Sequence, residues 1–386
     1  MGGGIAGMDA AIRLNELARE SSIELRLFES SSRLGGTIST SRWEDCLLEN
    51  GPEAIFTEKP WGTDFCRKLG LENEIIHTNR EGRRSFIWSR GKLIPFSSGI
   101  PPIASSRPFA SPPLFSWRST DSRGPRYHLF ISLKGGMQSL VERAAAQLPA
   151  GCVRLNSPVS KIGRTEEGTF RIETPGAEWV SDAVCLAAPA FVSAALLKNI
   201  EPEPARGLGQ IRALPAVTVN LVYKKDSLPP LDGFGFIVPE KENTAILGCT
   251  YASQKFPGRA PDHLAVLRAY LIGKSCLKKL ELPDEEIREM VRGDLETTLG
   301  IRAVPVFSQV ARLPGSIPQY AAGHADRIAV IEEGMAKARG IALAGNAFYG
   351  VGIPDCIRSG EKAAEKIFEG LGSVPWGLTL PRDPLY

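Results

Sequence analysis

The sequence predicts an α/β fold: a Rossmann-type dinucleotide-binding domain joined to a smaller α+β unit with its own sheet. Three observations predict it. Gly2, Gly4 and Gly7 fall in the spacing G-x-G-x-x-G. A helix-like stretch, Ala6–Arg19, follows, with Ile12, Leu14 and Leu17 at near-helical intervals. An alternating run, Ile23, Leu25, Leu27 with Phe28 adjoining, then ends at Glu29, 22 positions after Gly7.

Each feature answers a chemical need. Glycines permit a tight turn and let the backbone approach a pyrophosphate closely. The helix N-terminus supplies unpaired N–H groups and partial positive charge. An acid about 20 residues further on accepts hydrogen bonds from a ribose. Gly2, Gly3, Gly4, Ile5, Ala6, Gly7 and Glu29 are therefore candidate cofactor contacts. A buried strand normally leads into such a loop. None precedes Gly2. That strand would be central and covered on both faces, so its lack predicts weak cofactor binding.

Further along, "SSRLGG" places Arg33, Gly35 and Gly36 just past Glu29 and Ser30. An Arg followed by a Gly pair approaches a second phosphate. "FCRKLGLENEII" predicts a helix ending near Gly70. Ser97–Arg126 holds six prolines and eight serines in 30 residues, which predicts an extended linker. "HLFISLKGGMQSLVERAAAQLP" predicts a short strand, a Gly-Gly turn and a helix. Short strands follow between Gly151 and Pro189. "AVTVNLVYKK", "TAILGCTY" and "LAVLRAYLIG" predict strands of a second sheet. "PDEEIREMVRGDLETTLG" predicts an amphipathic helix with an acidic first turn, which suits the helix dipole. Near the C-terminus a strand ends at Ala344–Gly345. Gly350 and Gly352 allow a tight backbone, and Pro354 suits the first turn of a helix. A helix N-terminus aimed at an electron-accepting ring stabilises negative charge there.

Composition narrows the function classes. Net charge is +3 without a Lys/Arg block or aromatic-basic motif, which argues against nucleic acid. The cysteines at 46, 66, 152, 185, 249, 276 and 356 form no C-x-x-C, and no His stands at metal-ligand spacing. That predicts reduced thiols, a cytoplasmic protein and no metal site. No apolar run reaches a membrane span, while peripheral membrane contact stays open.

"GGGIAG", "FESSSRLGGTIST", "LLENGPEAIF", "SLKGGMQSLVE", "LGCTYASQKFPGRAP", "IPQYAAGH" and "GNAFYGVGIPDCIRSGEKAAE" occur in this order. Together they resemble the oxygen-dependent protoporphyrinogen and coproporphyrinogen oxidases. These are FAD flavoproteins of the wider amine-oxidase group. The resemblance implies a Rossmann-type FAD-binding domain and a smaller substrate domain on a mixed sheet. It places the FAD-binding parts at 1–96, 127–195 and 320–386, the linker at 97–126 and the substrate domain at 196–319. Gly2 to Gly7 would hold the pyrophosphate, and Glu29 the adenosine ribose beside Ser30. Arg33, Gly35 and Gly36 would line the cofactor channel. Gly51, Pro52 and Glu53 would lie near the flavin. The Val159 backbone would meet the adenine side. Gly345, Asn346, Val351, Gly352 and Ile353 would sit against the flavin.

The implied reaction is oxidation of a porphyrinogen to a porphyrin, with O₂ as acceptor. The flavin carries that chemistry, so no catalytic side chain is expected. Arg84, Arg90 or Arg118 would meet a propionate, although each suits a solvated surface better. His324 is expected near the cofactor in a structural role. Oligomeric state is left open. The chain departs from the family in three places: the missing first strand, a middle insertion cut to Ser97–Leu133, and Leu313 where a Trp is usual.

Overall fold

The computed structural model describes residues 1–19, 23–81, 84–96, 129–273 and 276–371. The Ser97–Arg126 linker expectation and Arg118 lie outside them.

The chain opens on helix α1 (Ile5–Leu17), then β1 (Leu27–Phe28), the hairpin β2–β3 (Thr40–Trp43, Cys46–Glu49) and β4 (Ile55–Phe56). Helix α2 (Pro60–Lys68) leads to β5 (Ile75–His77) and the hairpin β6–β7 (Ser85–Ser89, Lys92–Phe96). Next come β8 (Phe130–Leu133), α3 (Gln138–Ala145), β9 (Val153–Arg154), the meander β10–β12 (Lys161–Arg164, Phe170–Thr174, Ala177–Ser181) and β13 (Val184–Leu186). Helices α4 (Ala190–Leu197) and α5 (Pro202–Gly209) precede the long β14 (Ala213–Lys224). Then follow β15 (Gly235–Ile237), β16 (Gly248–Tyr251), α6 (Ala252–Lys255), β17 (Leu264–Ile272), α7 (Cys276–Lys279) and α8 (Asp284–Leu299). The chain closes with β18 (Phe307–Pro318), α9 (His324–Lys337), β19 (Ile341–Leu343) and α10 (Ile353–Gly370).

Two short parallel pairs, β1–β9 and β13–β19, flank the start of the chain. Met1–Gly2 runs between them. The Gly2 N–H donates to the Phe28 carbonyl at 2.8 Å, and the Ala187 N–H donates to the Met1 carbonyl at 2.8 Å. The Met1 ammonium donates to the Cys185 carbonyl at 2.8 Å. The expected strand from Ile23 to Glu29 forms a ladder only at Leu27–Phe28. Its partner β9 is two residues long, and Gly2 meets it only at Phe28.

The second sheet has seven strands in the order β18-β14-β17-β16-β15-β6-β7. It is mixed: β15–β6 is parallel and the other pairings are antiparallel. Strand alternation divides its labour. Val217, Val219, Leu221 and Tyr223 of β14 pack with Ile287, Val291 and Leu295 of α8 in one apolar core. The opposite face of β14 carries Thr218, Asn220 and Val222. Across the ladder, Thr218 faces Tyr270 and Asn220 faces Arg268. That polar strip turns toward the cofactor-side core.

The latter core gathers Ile5 and Met8 of α1, Phe65 of α2, Leu140 of α3, and Ile353 and Ile357 of α10. Helices α1 and α10 cross closely at Gly360, where a Cβ would lie 2.9 Å from Asp9 Oδ2 and 3.1 Å from the Ala10 nitrogen. Asp9 is fully buried, and neither carboxylate oxygen has a partner among the described residues. Burial pushes its pKa well above the usual range, and Glu361 adds to the shift. The folded state therefore binds the proton more tightly than the unfolded chain. Stability falls as pH rises from the ordinary carboxylate range through the raised native value. Asp9→Ala should stabilise the fold by about 1–3 kcal/mol at neutral pH. Its advantage in denaturant midpoint should shrink toward pH 4. An equal gain at every pH would contradict this account.

Candidate cofactor site

The glycine loop is tight below and open above. A Cβ at Gly7 would collide with the Gly2 carbonyl, whereas one at Gly4 would meet nothing. Gly4 is also the N-cap of α1 and offers no side chain to it. The first-turn N–H groups have no intrahelical acceptor, and the space in front of Gly4 is open. Just before the cap, the Gly3 N–H donates to Glu29 Oε2 at 2.7 Å.

Glu29 is held on its other oxygen by the Ser31 N–H at 2.8 Å and the Ser30 hydroxyl at 3.3 Å. Burial pushes its carboxyl up, but the hydrogen bonds from Ser31, Gly3 and Ser30 outweigh that and hold it below the usual range. Glu29 is therefore an anchored anion at the end of β1. The chain leading to Val159 is tied beside it. The Asn156 N–H donates to the Ser31 carbonyl and the Ser157 N–H to the Glu29 carbonyl, both at 2.9 Å.

Gly35 donates its N–H to the Gly3 carbonyl at 2.8 Å, and a Cβ at Gly36 would lie 3.3 Å from the Gly4 Cα. Arg33 turns back on its own loop. Its guanidinium donates to the carbonyls of Leu34, Ile38 and Gly36 at 3.1, 2.9 and 2.6 Å. The structure gives it a loop-closing role.

The Gly-rich segment between β19 and α10 is pinned at four points. Tyr320 donates to the Asn346 carbonyl at 2.6 Å, and the His324 ring Nε2 lies 3.1 Å from the Phe348 carbonyl. The Asn346 amide donates to the Ser316 carbonyl, and the Gly345 N–H to Ser359 Oγ, each at 3.0 Å. Tyr320 stacks on His324 with centroids 4.1 Å apart. Burial pushes the His324 imidazole down, which keeps it neutral and able to donate through Nε2. His324 thus positions the loop. Val351 is 42% exposed at its tip.

Gly51 lies where a Cβ would collide with the Thr37 carbonyl, beside the Gly35–Gly36 turn. Pro52 is half-buried. The Glu53 carboxylate turns toward the seven-stranded sheet, 2.5 Å from Lys255 Nζ and 3.5 Å from an Arg268 nitrogen. Burial raises its pKa, and the charges of Lys255 and Arg268 more than reverse that. Sequence reasoning missed this network. Its one sequence signal was an Arg inside the apolar run "LAVLRAYLIG".

Arg84 forms an exposed 3.0 Å ion pair with Asp232, and Arg90 is exposed beside Glu242. Neither faces the glycine loop. Two surface clefts of about 830 and 860 Å³ adjoin at Lys225, Asp262 and Leu264, and no glycine-loop residue lines them. Among the described residues no acidic, His and Cys group is placed to hold a metal. No described helix is long and apolar enough to cross a membrane.

The first turn of α1 packs on α10, with the Ala6 carbonyl so close that a Cβ at Gly360 would collide with it, and Ile5 and Ile353 belong to one buried cluster. Glu29 stands on one side of Met1–Gly2 and the β13–β19 pair on the other. A dinucleotide with its pyrophosphate over Gly4 and a ribose on Glu29 directs its other half toward α10. The residues present fit such a cofactor.

The family of flavin-containing amine oxidoreductases matches residues 5–124 and 114–368. The chain belongs to this family. It is an FAD-dependent oxidoreductase. It is 25% identical to a coproporphyrinogen III oxidase of Propionibacterium freudenreichii subsp. freudenreichii, over 97% of this chain and 91% of that protein. It is 26% identical to a protoporphyrinogen oxidase of Bos taurus, over 97% of this chain and 98% of that protein. Both alignments, 493 and 478 positions long, exceed this chain's 386 residues, so these relatives carry internal segments it lacks. A crystal structure of a proposed protoporphyrinogen oxidase from Exiguobacterium sp. 255-15 superposes with TM-score 0.81 at 26% identity, covering 95% of this chain and 97% of the other.

Gly4 and Gly7 separate cofactor binding from folding in this flavoprotein. Gly4→Val adds bulk only to the open side. It should cost the apoprotein only about 1 kcal/mol, for a poorer N-cap, and lower bound FAD per mole at least tenfold. Gly7→Val should unfold the chain. Normal flavin absorbance in Gly4→Val would refute this assignment.

Proposed function

We propose that this flavoprotein oxidises a porphyrinogen of haem synthesis, protoporphyrinogen IX, to the aromatic porphyrin, with O₂ as final acceptor. The observation that carries the reading is similarity to porphyrinogen oxidases over more than nine-tenths of both chains. FAD, when bound, supplies the hydride acceptance. Gly2, Gly3, Gly4, Ile5, Ala6 and Gly7 seat its pyrophosphate. Glu29 and Ser30 hold the ribose, with Val159 beside the adenine. Arg33, Gly35 and Gly36 line the cofactor channel, and Gly51, Pro52 and Glu53 lie near the flavin. Gly345, Asn346, Val351, Gly352 and Ile353 meet the flavin.

The seven-stranded sheet stands beside Gly51 and is tied to it by Arg268, which donates to the Gly51 carbonyl. This sheet supplies the wall against which a flat apolar macrocycle packs. The protein's part is placement and exclusion of water; no side-chain base is required.

Coproporphyrinogen III is the second reading, favoured by the Propionibacterium relative. The two substrates differ only at the ring edge. A third reading is an FAD-binding protein without oxidase activity. It is favoured by the internal segments that the relatives carry and this chain lacks.

Both porphyrinogens, offered separately to the FAD-loaded protein in air, decide among the readings through porphyrin fluorescence. Protoporphyrin should form with hydrogen peroxide, faster than coproporphyrin. The reverse order would establish the second reading. No fluorescence from a protein with full flavin content would establish the third.

A further inference from the structure

Two residues outside the expected contact set stand at the start of α10. Asp355 is in its first turn, with a side chain only 9% exposed. Its Oδ1 accepts an ion-paired hydrogen bond from Lys59, and its Oδ2 accepts the Gly352 N–H at 3.3 Å. A Cβ at Gly350 would collide with the Asp355 carboxylate. Gly350 therefore makes room for an acid, in addition to shaping the loop. Lys59 is placed by the packing of α2 on α10, where a Cβ at Gly62 would lie 3.0 Å from Pro354.

The arrangement has an electrostatic consequence. Gly352 spends its N–H on Asp355, and Pro354 has none. Only the Ile353 and Asp355 N–H groups remain free of intrahelical partners in the first turn. The helix end carries roughly half a positive charge. A bare carboxylate there would more than cancel it. Lys59 offsets the carboxylate, so with Asp355 ionised the positive end of α10 persists only while Lys59 is paired with it.

We propose that the Lys59–Asp355 pair sets the electron affinity of the bound flavin, with Lys59 as a positioning residue acting through Asp355. The proposal rests on the cofactor placement above, in which the flavin half of FAD reaches α10. It does not depend on which porphyrinogen is the substrate. Reduction brings two electrons to the flavin and builds negative charge, which a positive helix end favours.

The test is the midpoint potential of the FAD-loaded protein, titrated with dithionite beside a reference dye. Flavin content and unfolding midpoint are measured on the same samples. Lys59→Met should lower the potential, making the reduced form about tenfold scarcer at fixed potential, or about 30 mV for a two-electron couple. Asp355→Asn should raise it. The double variant should return toward the wild-type value, and Lys59→Arg should match wild type. If Lys59→Met fails to fold, the rise in Asp355→Asn decides alone. The proposal is overturned if Asp355→Asn does not raise the potential, or if folded Lys59→Met does not lower it. Failure of the porphyrinogen reading would show separately, as absent porphyrin fluorescence with these shifts intact.

Discussion

Three consecutive backbone carbonyls, those of Glu49, Asn50 and Gly51, are gripped by side chains of the seven-stranded sheet. Asn220 donates to the first at 3.1 Å, Thr218 to the second at 2.7 Å, and Arg268 to the third. Much of the architecture depends on this clamp. The segment lies between two apolar cores, where an unpaired carbonyl is costly. Strand alternation delivers all three donors to one face, since Asn220 opposes Arg268 across the ladder. Around them the buried charges of Glu49, Glu53, Lys255, Arg259 and Arg268 close a network. Arg259 extends it to the Leu133 carbonyl at 3.0 Å and the Ser132 hydroxyl at 2.5 Å. Losing one partner of such a cluster leaves another charge buried alone, which is far costlier than losing a surface pair.

This clamp holds the seven-stranded sheet in register with the Gly51 segment, and so, in the proposed function, the substrate wall with the cofactor. Gly51 touches the Thr37 carbonyl on one side and Arg268 on the other. A shift of the sheet is therefore felt at Gly51 and at the Thr37 carbonyl beside it. Flat substrates gain little from directional contacts on their faces. Their alignment with an acceptor ring depends on how rigidly the two walls are spaced.

The elements that frame the candidate site were legible in the sequence because their signals are local. The glycine spacing, the helix after it, Glu29 and the strand–loop–helix at the C-terminus each follow from neighbours a few residues apart. What escaped depends on distant partners. Arg268 reaches Gly51 across 217 positions, and Lys59 reaches Asp355 across 296. Helix α9 was also missed. It begins beside Gly323, and His324 takes its place by stacking on Tyr320 as well as by helical periodicity. The strand ending at Glu29 was recognised by its alternation. Alternation records which face is buried; it does not say how many residues find a ladder partner.

The junction at Met1–Gly3 gives cofactor loading a further meaning. The parallel pairs β1–β9 and β13–β19 meet across these three residues through a handful of hydrogen bonds. A dinucleotide running from Glu29 to the α10 end would span both pairs and splice them. Cofactor binding and sheet integrity would then be linked, and bound cofactor would oppose opening of this seam. Amide exchange at Gly2, Gly3 and Ala187, whose N–H groups make these bonds, would report the opening directly.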